Sequence, residues 1–143
     1  MENLTLFIAA AETLLESAAS EMLAHRDEVY PNEAVGVLCD DGSCYPLINQ
    51  ARSAHRLEVS AFLVSEAIAM LVERGKSPVA FYHSHTTSSS GPSARDVEMM
   101  QTKPEALFVI IGQDGISGWM WDDGLQAVGV VPLPDRKTNV EPN

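Results

Sequence analysis

Apolar and polar positions along this chain repeat in two different periods, and the switches between them mark out its elements. Leu4-Thr-Leu-Phe-Ile8 reads as a first strand. From Ala11 to about Asp27, Leu14, Leu15, Ala18, Met22 and Leu23 recur at helical spacing, with Glu12, Glu16 and Glu21 on the opposite side, as in an amphipathic helix. Pro31 ends the helical region. Glu33 to Asp40 reads as a strand, Asp41-Gly42 as a two-residue hairpin turn, and Cys44 to Ile48 as the returning strand. That register sets Cys39 opposite Cys44. Leu57 to Ser60 suggests another short strand, and Phe62 to Arg74 a helix whose Phe62, Leu63, Ala67, Met70 and Leu71 share a face, stopped by Gly75. Val79-Ala-Phe-Tyr82 is a short apolar strand, and Ser93 to Gln101 a helix broken by Pro104. Ala106 to Gly112, apolar throughout, suits a central strand buried on both faces. Ile116 to Trp121 and Leu125 to Val131 form a hairpin across Asp122-Asp-Gly124. The sum is an α/β fold of the α+β kind, a curved, mostly antiparallel mixed sheet flanked by helices.

Composition narrows the class. The 143 residues fit one domain, residues 1–132, with a proline-rich, charged and mobile tail over 133–143. Nine Lys and Arg against 20 Asp and Glu leave a net charge of −11, which repels a phosphate backbone and argues against nucleic-acid partners. No apolar run approaches the roughly eighteen residues needed to span a bilayer. Glu2 and the lack of basic residues before the first apolar stretch do not make a signal peptide, so a cytoplasmic protein is expected. Their facing register leaves a cross-strand disulfide sterically open, but in that reducing compartment Cys39 and Cys44 are expected to be plain sheet residues.

Candidate chemistry gathers where the Val79 strand ends, in His83-Ser-His85. Strand side chains alternate, so two histidines two apart point the same way and can meet on one ion. Zinc takes imidazole nitrogens and carboxylate oxygens in a tetrahedron and, in catalytic sites, keeps one position for water. Asp96 would be the third ligand, delivered by the small residues of Thr86-Thr-Ser-Ser-Ser-Gly-Pro92. Ser93-x-x-Asp96 also has the form of a capping box opening a helix. His25 and His55 fall on faces expected to be solvated.

His-x-His, seven residues, then Ser-x-x-Asp resembles the motif of the JAMM (JAB1/MPN/Mov34) metalloproteases, and the resemblance covers the chain from about Leu4 to Val131. That motif adds an upstream glutamate, and Glu33 in Pro31-Asn-Glu-Ala-Val-Gly-Val-Leu38 stands in its place. The resemblance implies a JAMM/MPN-like fold with a cytidine-deaminase-like core. It also implies zinc on His83, His85 and Asp96, Glu33 as general base and acid, and Ser93 as a hydroxyl donor toward the oxyanion. The reaction implied is attack of a zinc-bound water on a peptide or isopeptide bond near the C-terminus of a ubiquitin-like protein. Tyr82-His-Ser-His-Thr86 and Pro92-Ser-Ala-Arg-Asp-Val97 are similar to actinobacterial Mec+-type members, which trim a cysteine from a sulfur-carrier protein. Val35 departs from the cysteine common there. Phage tail-assembly peptidases share the core motif, and zinc-free MPN domains serve as interaction scaffolds. RadC proteins carry a similar pattern, but the acidic charge fits them poorly. A strand-end site beside a loop without bulky side chains predicts an open groove at a sheet edge, where an extended tail could add as a strand.

Overall fold

A computed structural model describes residues 2–51, 54–104 and 106–133. The elements run α1 (Glu2–Val29), β1 (Val35–Cys39), β2 (Cys44–Leu47), α2 (Ala61–Glu73), β3 (Pro78–Ser84), α3 (Ala94–Thr102), β4 (Leu107–Ile111), β5 (Gly115–Trp121) and β6 (Leu125–Pro132). One six-stranded sheet has the order β2-β1-β3-β4-β5-β6. The β3–β4 pair is parallel, with α3 as its crossover, and every other neighbouring pair is antiparallel. This is the mixed, mostly antiparallel sheet with flanking helices that the pattern predicts. Residues 134–143, nearly all of the expected tail, lie outside the described residues.

Helix α1 lies along one face of the sheet and seals the main core. Leu15, Ala18 and Met22 are fully buried there against Tyr82, Val109, Ile111, Ile116 and Val128. Helix α2 covers a smaller cluster of Val37, Cys39 and Leu71, and α3 another of Met100, Phe108 and Ile110. Ser60 caps α2 by accepting the Leu63 amide, and Gly75 leaves the helix at φ +79°, a left-handed conformation cheap for glycine.

Several expectations are corrected. Leu4–Ile8 is not a strand but the first turns of α1. No glycine or proline interrupts the chain between Glu2 and Val29, so the helix runs straight through a segment whose composition alone favours a strand. Leu57–Ser60 is not a strand either. The Asn49 side chain accepts the Glu58 amide and the Glu58 carbonyl accepts the Gln50 amide, so these backbone groups are satisfied outside the sheet. The β1–β2 hairpin turns through three residues rather than two: Gly42 donates to the Cys39 carbonyl at φ +87°, and Cys39 donates to Ser43. Cys44 therefore faces Leu38 and not Cys39. Both cysteines are free thiols, and burial pushes the Cys44 pKa up to about 12.

His25 is buried, at 7% exposure, rather than solvated. It sits on the inner side of α1 with its Nδ1 2.8 Å from the Tyr82 hydroxyl. On α2 only part of the expected face is inside: Ala67 and Leu71 are buried, while Phe62 is largely exposed. β3, finally, is an interior strand, so the histidines stand at the C-terminal end of a central strand and not at the sheet's edge.

Candidate metal and active site

Alternation along β3 sends Ala80, Tyr82 and Ser84 toward α1 and Phe81, His83 and His85 to the other face. β1 lies antiparallel beside β3 with Val35 opposite His83. Glu33, two residues before Val35, continues that face toward His85. It is buried, at 8% exposure, next to the charges of His83, His85 and Asp96. Burial raises the Glu33 pKa while the two histidines pull it back, and the net position is above an ordinary glutamate.

Asp96 arrives from α3. Ser93 caps that helix by accepting the Asp96 amide on its hydroxyl oxygen (3.1 Å), and Asp96 Oδ2 accepts the Ser93 amide in return (2.9 Å). The capping box thus fixes the carboxylate, which lies with Oδ1 3.1 Å from His83 Nε2 and Oδ2 2.9 Å from His85 Nε2. The cap and the chemical reading of Ser93-x-x-Asp96 are compatible: an accepting Ser93 oxygen still keeps its O–H to donate.

The donor set fits a metal ion. His85 Nδ1 lies 2.8 Å from the Ser89 carbonyl oxygen, which can only accept, so Nδ1 carries the proton. In the neutral ring Nε2 then presents a lone pair to an Asp96 oxygen that is also an acceptor. His83 Nε2 is buried and has no aligned hydrogen bond despite its short distance to Asp96. Such atoms are stable side by side only around a cation. All three ligand atoms lie within 4.8 Å of one another. The two imidazole nitrogens meet different oxygens of Asp96, His83 Nε2 at 3.1 Å from Oδ1 and His85 Nε2 at 2.9 Å from Oδ2, so the carboxylate spans the pair. A proton can partly take the cation's place. Burial opposes charge on His85, but the contacts with Asp96 and Ser89 outweigh it and raise its pKa. Burial likewise opposes charge on Asp96, and the two imidazoles overcome it, holding the carboxyl far below the usual carboxylate range.

Three residues that sequence reasoning passed over hold this arrangement. Ser84, fully buried between the histidines, accepts the Ala34 amide on its hydroxyl (2.8 Å) and donates its own amide to the Ala34 carbonyl (3.0 Å), fixing the residue beside Glu33. Asn49 donates to the Glu33 carbonyl (3.2 Å) and to the Arg56 carbonyl (2.9 Å). Ser90 anchors the ligand loop, which is better tied down than its small residues suggested. Its hydroxyl lies 2.5 Å from that of buried Ser117, its amide donates to Asp114, and its carbonyl accepts Trp119 Nε1. Gly112 makes this docking possible, since a Cβ there would come within 2.1 Å of the Ser90 nitrogen. Serines in a polar loop carry no signal for such contacts without the strand register.

The site opens into a cleft of about 170 Å³ bordered by Glu33, His85, Ser93 and Asp96, with His55 and Arg95 also on its walls. His55 is exposed, as expected, but on the cleft and within electrostatic reach of Glu33. Among the described residues no helix is long and apolar enough to cross a membrane.

Comparison with known proteins finds relatives over most of the chain. The chain is 31% identical over 96 residues to the CysO-cysteine peptidase of Mycobacterium tuberculosis; the match covers 63% of this chain and 65% of that protein, just under two thirds of its length. It is 28% identical over 116 residues to the probable TtuB-protein conjugate cleaving protease of Thermus thermophilus, covering 78% of this chain and 76% of the other. The solution structure of a Desulfitobacterium hafniense protein superposes with a TM-score of 0.68 at 24% identity, covering 80% of this chain and 87% of that one. That likeness is one of fold. Residues 15–122 match the model of the prokaryotic homologs of the JAB domain, and the chain belongs to that family.

Proposed function

We propose that this protein is a zinc-dependent metallopeptidase, cutting a peptide bond near the C-terminus of a ubiquitin-like sulfur-carrier protein. One observation carries the reading: His83, His85 and Asp96 turn three electron-pair donors onto one point, with the buried carboxylate of Glu33 beside it. The activities of the two relatives, a CysO-cysteine peptidase and a probable TtuB-protein conjugate cleaving protease, support the substrate class.

Zinc held by His83, His85 and Asp96 would supply Lewis acidity and a water acidic enough to ionise near neutral pH. The protein's own groups do the rest. Glu33 takes the proton of the attacking water and passes it to the departing amine, so the C–N bond breaks to a carboxylate and an amine. Its burial, which raises its proton affinity, suits a group that must both accept and return a proton. The Ser93 hydroxyl donates to the carbonyl oxygen as negative charge develops there. Ser89 holds His85 in the tautomer that offers Nε2.

Glu33→Gln keeps the size of the side chain and cannot take a proton. It should bind zinc as the wild type does and lose at least about a hundredfold in kcat on a carrier extended at its C-terminus. Full activity of Glu33→Gln, measured by mass spectrometry of the trimmed carrier, would refute the mechanism.

A further inference from the structure

Arg95 has no part in the chemistry described, yet it stands on the wall of the active-site cleft. The chain has few basic groups, nine against 20 acidic ones, and two of them are spent on neighbours, Arg26 on Asp27 and Lys76 on Asp41. Among the described residues Arg95 forms no ion pair and no side-chain hydrogen bond, and it is exposed to whatever enters the cleft. Its backbone is fixed between Ser93 and Asp96, whose capping box locks the first turn of α3. The backbone that carries the guanidinium is therefore fixed one residue from a candidate metal ligand and two from the hydroxyl proposed to meet the scissile carbonyl. The cleft is also small. About 170 Å³ lies below the ~300–1,000 Å³ of ordinary small-molecule sites and matches a residue or two beside the cut.

We propose that Arg95 binds the free terminal carboxylate of the segment that is cut off, which makes the enzyme a trimmer of one or two C-terminal residues. A planar guanidinium matches a carboxylate through two parallel hydrogen bonds, a geometry that a C-terminal amide or an internal peptide cannot reproduce. The proposal rests on the peptidase reading for its biological sense, but the recognition itself can be measured without turnover.

The probe is the peptide Gly-Gly-Ala, which has no thiol to bind zinc, as the free acid and as the C-terminal amide. Calorimetry on zinc-loaded Glu33→Gln protein should find the acid bound roughly tenfold more tightly than the amide, the size expected of one charge-assisted pair. Adding Arg95→Gln should remove the preference, and Arg95→Lys should keep part of it, with zinc content equal in all three. Equal binding of acid and amide, or no binding of either at millimolar concentration, would overturn the proposal. So would an acid preference that survives Arg95→Gln, because the carboxylate would then be on the metal. With wild-type enzyme, kcat/KM on acid and amide forms of an extended carrier should show the same ratio. An Arg95-dependent acid preference without any cleavage would leave the carboxylate site standing and refute the peptidase reading instead.

Discussion

The two faces of β3 are built differently although they share one backbone. Toward α1, Ala80 and Tyr82 enter a continuous core that reaches from Leu15 and Met22 to Ile111 and Val128. Toward the other face the apolar cover breaks into two small clusters, one under α2 and one under α3, with Phe81 touching both. His83 and His85 follow Phe81 on that broken face. A face sealed by a long helix has no room for a ligand, and every polar group in it must be satisfied internally. A face covered in two pieces leaves a gap at the strand end, where polar groups can be buried yet still point at a shared ion. The fold thus puts its main core on one side of the strand and the candidate metal site on the other.

The division is broken most severely by removing a candidate ligand. Asp96→Ala takes away one of three protein donors and should weaken zinc binding by more than about a hundredfold, since even groups that merely support a ligand are worth ten to a hundred. The inner face does not touch Asp96. Compared without metal, variant and wild type should therefore melt within about 5 °C, the difference set by the lost cap of roughly 1 kcal/mol. Unfolding of Asp96→Ala at room temperature would mean that the outer face carries much of the stability, against the comparison.

The opposite experiment is Gly36→Ala. Gly36 faces Tyr82 across the β1–β3 pair, and a Cβ there would lie 2.3 Å from the tyrosine oxygen. Tyr82 is wholly buried and held by His25, so its ring has nowhere to go. Overpacking of this kind should cost about 3 kcal/mol. Thermal unfolding checks the loss, and zinc titration of the folded protein should still find wild-type affinity. A variant that melts like the wild type would show that the inner face is looser than its contacts imply.

The same contrast separates what could be read in the sequence from what could not. The outer-face cluster was legible because metal ligation demands particular residue types at fixed spacing: His83, His85 and Asp96 stand out as candidate ligands that the structure brings together, and Glu33 beside them follows from the motif resemblance. The core helix was legible in Leu15, Ala18 and Met22 because a buried face must repeat with the helical period. What escaped depends on tertiary partners. Leu4–Ile8 has strand composition but joins a helix with nothing to stop it. His25 looks solvated until Tyr82 is placed opposite it. A one-residue longer turn at Gly42 moved Cys44 from Cys39 to Leu38, a shift that turn propensity alone does not fix. The roles of Ser84, Asn49 and Ser90 come from backbone groups that meet only once the register is set.

Ser84 is the residue that sharpens the comparison, because it belongs to both sides. By alternation it lies on the inner face, and it is fully buried, yet its hydroxyl stands where a ladder carbonyl would otherwise accept the Ala34 amide. Ladder pairing is thereby ended one residue short of Glu33, which is then placed by Ser84 and Asn49 rather than by the sheet. Ser84→Ala leaves a buried amide without its acceptor, and the stability cost should be about 1–2 kcal/mol, below that of Gly36→Ala. Zinc affinity should stay within a few fold, since neither imidazole depends on the hydroxyl. If the hydroxyl positions Glu33, kcat should fall by about tenfold while KM changes little, because the general base is displaced and the substrate contacts are not. Ser84→Thr restores the oxygen and should recover most of the lost rate. A Ser84→Ala enzyme with reduced stability but unchanged kcat would assign this side chain to the scaffold alone, and the boundary between the two faces would then run cleanly through the backbone of β3.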